Sequence, residues 1–288
     1  TTGFRSGGYA LGISGQYDSQ RDEFGVPIGD NQRLVSYDEE TVEAVEIGYK
    51  GLHLDETLQI FASIYQYDYD GYQDELQQFD PIRGAGANFV SNADGITNKG
   101  FEVELYYAAT DRLTISGNFS YTETEYGEDY FVFTVDDPIN PVPVFGTFTQ
   151  GFISAQVTDP SQASDYTVNL KGGPLKGIPE EKATIRVSYE QDTRFGPLYY
   201  LLSHSYTGDF SASGIQRPLD RIDSRETTNL NISWFSQDGN LSVRAYIDNL
   251  FDNDNYYALS TGDHETNYRK SVTALPPRVM GVDMRYRF

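Results

Sequence analysis

The chain has 288 residues, no cysteine and a formal net charge of −22. The acidity argues against a nucleic-acid partner, because a phosphate backbone would be repelled, and the missing cysteine excludes a disulfide framework or a thiolate metal site. Aromatic residues make up 14% of the chain, yet no apolar run approaches the roughly 18 residues that a transmembrane helix needs. The chain is therefore either soluble or a β-barrel, whose membrane signal is spread over alternating segments.

The first residues, TTGFRSGGYALG, lack the charged start and apolar core of a signal peptide. We expect that a signal peptide was cleaved or that the chain is a piece of a longer protein. Alternation of apolar and polar residues then recurs in segments of strand length, as in LTISGNFSY. Antiparallel strands are predicted near residues 42–50, 57–69, 99–108, 113–123, 181–190, 198–207, 227–236, 241–250 and 279–288, and a tenth ends within residues 1–17. Lipid-facing side chains are predicted at Val45, Ile47, Leu105, Ile115, Ile185, Val187, Ile232 and Val282.

Short and long connections alternate between these strands. The short ones, GLHLDE, AATD, QDTRFG and QDGN, are rich in turn residues. The long ones cover approximately residues 70–98, 123–180, 208–226 and 252–277. One rim with tight turns and another with large loops is typical of outer-membrane barrels. A soluble β-sandwich binding module is the weaker alternative, since it seldom places every long loop at one end.

The chain ends on PPRVMGVDMRYRF, an alternating stretch with phenylalanine as its last residue. Met284, Tyr286 and Phe288 share one face of the predicted strand. Because a terminus normally frays into solvent unless it is held, the pattern predicts a last strand whose outer face meets an apolar medium.

Several blocks together resemble the C-terminal part of a TonB-dependent outer-membrane receptor. They are GFRSGG, VEAVEIGYKG, TLQIFASIYQYDYDGYQ, NKGFEVELYYAATDRLTISGNFSYTETEY, IDNLFDNDNYY and PPRVMGVDMRYRF. The resemblance implies an all-β, antiparallel transmembrane β-barrel of about 22 strands with a plugged lumen, of which residues 1–288 form about ten C-terminal strands. The plug domain and the N-terminal strands would lie outside this chain. Since an open sheet would leave two edges in lipid, we expect a fragment or one part of a multi-chain barrel; a self-closed ten-stranded barrel is the minor alternative.

The resemblance also implies a function, a location and partners. The function is TonB-dependent active uptake of a scarce nutrient, such as an oligosaccharide or a ferric siderophore, in the outer membrane of a Gram-negative bacterium. The long loops would be extracellular and the C-terminus periplasmic. The implied partners are the TonB–ExbB–ExbD energy complex acting through the plug region, outer-membrane lipid, a surface lipoprotein and the barrel assembly machinery, which would recognise Met284, Tyr286 and Phe288. A passive barrel or a surface binding protein without energised transport is the alternative.

Catalytic, cofactor and metal sites are not predicted, so an enzyme is not expected. No paired-histidine motif, nucleophile elbow or phosphate-binding glycine loop is present. We place His53 in a periplasmic turn, His204 in a strand and His264 in a long loop. The acidic runs at residues 38–40 and 136–137 are interpreted as solvated loop charge rather than as calcium ligands.

Ligand-binding residues are expected in the long loops. The aromatic density of residues 126–152 suits stacking on sugar rings or other planar groups, although the same rings could pack the loop on itself or against a lipoprotein. The candidates are Tyr126, Tyr130, Phe131, Phe133, Phe145, Phe148, Phe152, Arg217, Arg221, Tyr257 and Arg269. Arginines could grip an anionic ligand, but the acidity of the chain favours a neutral one such as an oligosaccharide. The lumen-facing Arg186, Arg244, Arg285 and Arg287 are expected to pair with carboxylates such as Glu46, Glu102 and Glu104, or to touch the plug.

Overall fold

The computed structural model describes residues 1–9, 36–80, 85–133, 167–214, 216–261 and 269–288. Within these residues the chain forms β-strands and one turn of 3₁₀ helix, Pro218–Asp220. The strands are β1 (Thr2–Arg5), β2 (Gly8–Tyr9), β3 (Ser36–Tyr37), β4 (Glu40–His53), β5 (Leu58–Asp70), β6 (Tyr72–Asp80), β7 (Ala85–Ala93), β8 (Ile96–Ala108), β9 (Leu113–Tyr126), β10 (Phe131–Phe133), β11 (Thr167–Asn169), β12 (Glu181–Gln191), β13 (Leu198–Thr207), β14 (Phe210–Ser211), β15 (Arg221–Ile222), β16 (Arg225–Phe235), β17 (Leu241–Asp248), β18 (Tyr256–Thr261), β19 (Lys270–Ala274) and β20 (Val279–Tyr286). No helix in the described ranges is long and apolar enough to cross a membrane.

Ten of the strands form one antiparallel sheet in the order β1-β4-β5-β8-β9-β12-β13-β16-β17-β20. All nine strands predicted from alternation are confirmed, and no boundary differs by more than three residues. The predicted tenth strand is β1, which pairs with the start of β4. Because β1 and β20 remain at the two edges, the sheet is not closed, as expected for part of a larger barrel.

The register places apolar side chains of neighbouring strands side by side on one face. Ile47 pairs with Ile64, which in turn pairs with Phe101, and the same face continues across the sheet to β20. All eight predicted lipid-facing residues lie on it. Val45 is 68% exposed and Val282 is 70% exposed. An apolar face this open is what a barrel presents to lipid.

The opposite face of the sheet is polar, as a lumen wall requires. Its centre is lined by hydroxyl and amide side chains in register, for example Asn118, Thr184 and Ser205. Arg244 forms an ion pair with Asp283 on the neighbouring strand.

The prediction that lumen arginines pair with lumen carboxylates is met by Arg244, whose partner is Asp283, but the glutamates given as examples are not partners of these arginines among the described residues. No ion pair joins the arginines to the glutamates there. The reason is distance across the sheet: the glutamates lie on β4 and β8, and the arginines lie on β12, β17 and the C-terminal strand. The arginines are Arg186, Arg244, Arg285 and Arg287, and the glutamates are Glu46, Glu102 and Glu104.

Short turns close one end of the sheet. The prediction that His53 lies in a turn is wrong, because His53 is the last residue of β4. Its Nε2 lies 2.7 Å from the Tyr49 hydroxyl. The turn itself covers residues 54–57. In the β12–β13 turn, Gly196 has a φ of 123°, and a Cβ there would collide with the Phe235 carbonyl oxygen. Glycine is therefore required at this position.

The long links leave the opposite end of the sheet, and each carries a two-stranded hairpin. The hairpins are β2–β3, β6–β7, β10–β11, β14–β15 and β18–β19, and none was predicted from alternation. The buried apolar cluster of the described residues lies at the loop end of the sheet, where Ile96 and Tyr126 at the ends of β8 and β9 meet residues of the links; it comprises Ala93, Ile96, Tyr126, Leu170 and Leu175. The sheet keeps little core of its own because both of its faces are open.

Candidate ligand-binding region

The packed bases of the β5–β8 and β9–β12 links form what we call the loop platform, which comprises residues 72–75, 90–96, 124–130 and 169–178. Its centre is Tyr126, the last residue of β9, which is fully buried. The Tyr126 hydroxyl donates a 2.6 Å hydrogen bond to Asp74 Oδ2. Lys176 Nζ lies 3.1 Å from the other carboxylate oxygen of Asp74. A buried carboxylate with both oxygens satisfied joins three segments distant in sequence.

Tyr130 completes this network. Its ring stacks on Tyr126 with centroids 5.6 Å apart, and its hydroxyl is hydrogen-bonded to Ser91. Burial, followed by the charge of Asp74, raises the pKa of the Tyr126 phenol far above its ordinary value. Burial also raises the pKa of Tyr130 to about 12. Both phenols therefore stay neutral and act as hydrogen-bonding core groups.

This placement changes how the predicted aromatic segment is understood. The sequence left two possibilities for Tyr126, stacking on a ligand or packing of the loop on itself. Its ring is enclosed in the loop platform, and Tyr130 is partly buried beside it, which fits the second possibility for these two residues. Phe131 and Phe133 lie in β10, which pairs with β11. Phe145, Phe148 and Phe152 lie outside the described residues.

The predicted loop cations have acidic neighbours. Arg217 Nε lies 2.6 Å from Asp220 Oδ2, and its Nη2 lies 3.2 Å from Oδ1, so the pair is bidentate. Asp220 is only 2% exposed. Arg221 forms an ion pair with Asp209. The positive charge of each arginine is thus opposed by an aspartate of the same link.

The remaining two candidates lie on the last hairpin. Tyr257 is in β18 and is 48% exposed, and Arg269 is exposed directly before β19. Among the described residues, β18 contacts the segment of Pro218–Ile222, but neither Tyr257 nor Arg269 lines the cavity that Arg217 and Arg221 share.

A cavity of about 620 Å³ lies where the β9–β12 and β13–β16 links meet, and we call it the rim cavity. It is lined by Pro174, Leu175, Ile178, Glu180, Glu181, Tyr206, Gly208, Asp209, Phe210, Ser211, Gln216, Arg217, Pro218 and Arg221. Of these, only Arg217 and Arg221 were predicted as ligand-binding residues. Proline, acidic and aromatic residues in loops carry no distinctive spacing, so the sequence held no signal for the others.

The predicted assembly residues lie on the apolar face at the end of β20 or just beyond it. Met284 is 74% exposed and Tyr286 is 55% exposed. The Tyr286 ring meets the Phe288 ring edge to face, with centroids 5.0 Å apart. Their recognition by assembly machinery stays a prediction.

Metal ligation finds no support in the described parts of the chain, where no group of three histidine or acidic side chains could hold an ion. Glu40 instead accepts a 2.7 Å hydrogen bond from the Gln73 backbone N–H. His204 lies in β13 as predicted, with Nδ1 2.8 Å from Thr228 Oγ1. His264 and residues 136–137 are outside the described residues.

Solved structures with the same fold include two receptors and a transporter. The ferric yersiniabactin uptake receptor FyuA from Yersinia pestis matches with a TM-score of 0.64 and 16% identity, over 100% of this chain and 34% of that chain. The siderophore receptor PiuA from Acinetobacter baumannii matches with a TM-score of 0.57 and 16% identity, over 91% and 30%. The copper transporter OprC matches with a TM-score of 0.54 and 14% identity, over 87% and 32%. The chain thus spans about a third of the length of the solved structures that it matches.

Sequence comparison assigns the family. No curated protein sequence matches the chain significantly. The family model described as TonB dependent receptor-like, beta-barrel matches residues 1–250, which is most of the chain, and it agrees with the antiparallel sheet and the resemblance of the sequence blocks. The chain belongs to the family of TonB-dependent receptor β-barrels.

Proposed function

We propose that the protein containing this chain takes up a scarce, ring-bearing nutrient across the outer membrane of a Gram-negative bacterium, using energy delivered by the TonB complex. The observation that carries the proposal is the asymmetry of the sheet. Tight turns close one end, whereas every long link leaves the other end and two of them pack into a braced platform. Such an arrangement suits capture on the outside and passage through the lumen.

Family membership and the matched structures support this proposal. The matched proteins are named as receptors for ferric siderophores and as a copper transporter. The long loops would be extracellular and the C-terminus periplasmic. The TonB–ExbB–ExbD complex would act through a plug region outside this chain, and the barrel assembly machinery would fold the barrel. A surface lipoprotein is a further proposed partner.

For the ligand we favour a neutral compound such as an oligosaccharide. The net charge of −22 disfavours a ligand that carries several carboxylates. The loop arginines do not offset this, because Arg217 and Arg221 face Asp220 and Asp209. Stacking on aromatic rings, proposed above for Phe145, Phe148 and Phe152 of the β9–β12 link, needs no complementary charge.

The experiment is an uptake assay in the host with the full-length receptor and a panel of labelled oligosaccharides and ferric siderophores at limiting concentration. Uptake should cease when a protonophore is added. A deletion of residues 134–152, which spares both platform tyrosines, should lower uptake of the accepted nutrient. Deletion of residues 263–268 in the last long link is the matched control. Uptake that persists without the proton gradient would favour a passive barrel, and uptake unaffected by the first deletion would remove that segment from the capture site.

A further inference from the structure

The rim cavity is a preformed space rather than a gap between loose loops. Its two walls, residues 174–181 on one side and residues 208–214 and 216–221 on the other, are joined by hydrogen bonds. The Gly177 N–H donates to the Ser211 carbonyl at 2.8 Å, and the Gly208 N–H donates to the Glu181 carbonyl at 2.8 Å. The Gln216 side-chain amide donates to the Pro174 carbonyl at 2.6 Å. A volume of about 620 Å³ falls within the range of about 300–1,000 Å³ that small-molecule sites occupy.

A second cavity adjoins the first across a single side chain. It measures about 340 Å³ and is lined by Ser224, Arg225, Glu226, Asn253, Asp254, Asn255 and Tyr206. Tyr206 lines both cavities, so a ligand longer than one ring could run past this phenol from one cavity to the other. Arg225 Nη1, in the wall of the second cavity, is buried and has no hydrogen-bond partner. This atom is a donor available to a ligand oxygen.

The charges around the cavities disfavour an anionic ligand. Arg217 and Arg221 are opposed by Asp220 and Asp209, so neither cation is free to bind an external carboxylate or phosphate at full strength. Glu180 and Glu181 are exposed and take part in no ion pair among the described residues. Carboxylates therefore outnumber cations, and they accept hydrogen bonds but do not donate them.

The uncharged part of the lining disfavours a small cation as the ligand. Pro174, Leu175, Ile178 and Pro218 contribute apolar surface, and Tyr206 contributes an aromatic ring. A small ammonium group would satisfy the carboxylates but leave this surface in contact with water. A sugar ring covers both, because its hydroxyl groups donate to carboxylates while its C–H face packs on an aromatic or aliphatic surface.

Tyr206 pairs with Ala183 and Glu226, so it lies on the outward face of the sheet at its loop end, where Glu181 and Glu226 take the place of the apolar residues. We propose that the two cavities form one binding site for an uncharged oligosaccharide at this rim, with Tyr206 as the stacking surface shared between two rings. Glu180 and Glu181 accept hydrogen bonds from hydroxyl groups in the rim cavity, and Arg225 donates to a ring or hydroxyl oxygen in the second. Its physiological role rests on the proposed function of nutrient uptake, whereas binding itself can be measured without transport.

The test uses the purified full-length receptor in detergent micelles and the neutral trisaccharides maltotriose, cellotriose and mannotriose, each titrated separately by calorimetry. At least one should bind, and trigalacturonic acid, a trisaccharide with three carboxylates, should bind at least tenfold more weakly. Tyr206→Ala should weaken binding about tenfold through loss of the stacking contact. Glu181→Gln, which keeps the shape of the side chain, should weaken it severalfold.

Matched controls separate the site from the rest of the rim. Tyr121 lies on the same face of the sheet two strands away, on β9, where it pairs with Glu181 of β12. It lines neither cavity, so Tyr121→Ala should bind like the unmodified protein. Glu125→Gln is the corresponding control for Glu181, and heat-modifiable migration verifies that every variant is folded. Failure of all three neutral trisaccharides to bind, equal affinity for trigalacturonic acid, or equal losses in Tyr206→Ala and Tyr121→Ala would overturn the inference. Loss of uptake with trisaccharide binding intact would instead count against the proposed function alone.

Discussion

Replacing Tyr126 with phenylalanine should loosen the loop platform while leaving the barrel strands intact. The substitution keeps the buried ring and its stacking on Tyr130 but removes the hydroxyl that donates to Asp74 at 2.6 Å. A hydrogen bond to a charged group contributes about 1.5–3 kcal/mol. Because Lys176 still neutralises Asp74, we expect a loss in the lower part of that range, about 2 kcal/mol.

Hydrogen exchange on the full-length protein in detergent micelles measures this loss locally. The reporters are the N–H groups of Tyr126 and Gly172, which are bonded to the carbonyls of Gly173 and Tyr126, and the N–H of Leu175, which is bonded to Thr124 Oγ1. A loss of about 2 kcal/mol corresponds to a roughly 30-fold increase in their opening equilibrium. Amides of β16 and β17 should keep their protection, because they are remote from the platform.

Tyr121→Phe is the matched control, since it removes a hydroxyl from the same strand. Tyr121 stacks on Phe101, and its hydroxyl has no hydrogen-bond partner among the described residues. Unchanged exchange at the three reporter amides in Tyr126→Phe would refute the reasoning. So would an equal increase in Tyr121→Phe, because the effect would then not depend on Asp74.

Three further predictions concern the barrel. Ile232→Arg should lower the free energy of unfolding of the barrel in lipid vesicles by about 2–4 kcal/mol, and Asn231→Arg should lower it far less. Equal losses would contradict the assigned faces. Deletion of Phe288 should lower the amount of heat-modifiable, folded protein in the outer membrane without lowering synthesis, and an unchanged amount would exclude the assembly role. Gly196→Ala should cost about 1–3 kcal/mol in urea unfolding, whereas Gly239→Ala, where no atom lies within 4 Å of the new Cβ, should cost less; the reverse order would argue against the collision with the Phe235 carbonyl.

The sheet was predictable from the sequence because its two faces meet different media. A strand between lipid and lumen must alternate, so Ile185 and Val187 on β12 stand out against Arg186 and Ser188 without any tertiary information. The same logic located the tight turns. Only the ends of the strands were displaced, since β4, β8 and β9 extend beyond the alternating core by up to three residues.

The hairpins of the long links were missed for the converse reason. β6 and β7 are nine residues each and fully paired, yet they form a separate two-stranded sheet, so they do not divide lipid from lumen. Without that contrast no alternation is required. What holds them are specific polar contacts, such as the Gln73 side-chain amide donating to the carbonyls of Ser6 and Asp38 at 3.0 Å. Such contacts join residues tens of positions apart and leave no local pattern.

The aromatic segment shows what composition leaves open: whether a ring contacts a ligand or packs the loop on itself. The density of rings between Tyr126 and Phe152 predicts either a ligand-binding surface or a packed loop. It does not distinguish the rings that contact a ligand from the rings that pack in a core. That distinction depends on partners elsewhere: Tyr126 is buried because Asp74, 52 residues earlier, accepts its hydroxyl. The sequence contains both residues, but nothing in their spacing pairs them.

The binding capacity of the loop arginines likewise depends on their neighbours in the fold, and this affects which ligand the rim favours. Cations on an acidic surface suggest an anion site only if they lack acidic neighbours. The Arg217–Asp220 pair spans three residues and could be anticipated from the sequence, whereas Arg221 meets Asp209 only because β14 and β15 form a hairpin. Once both pairs are counted, the rim keeps its negative charge at Glu180 and Glu181, and acceptors with apolar walls remain. That combination supports the proposed neutral ligand with hydroxyl groups on a ring over the polycarboxylate ligand that the arginines alone would have suggested.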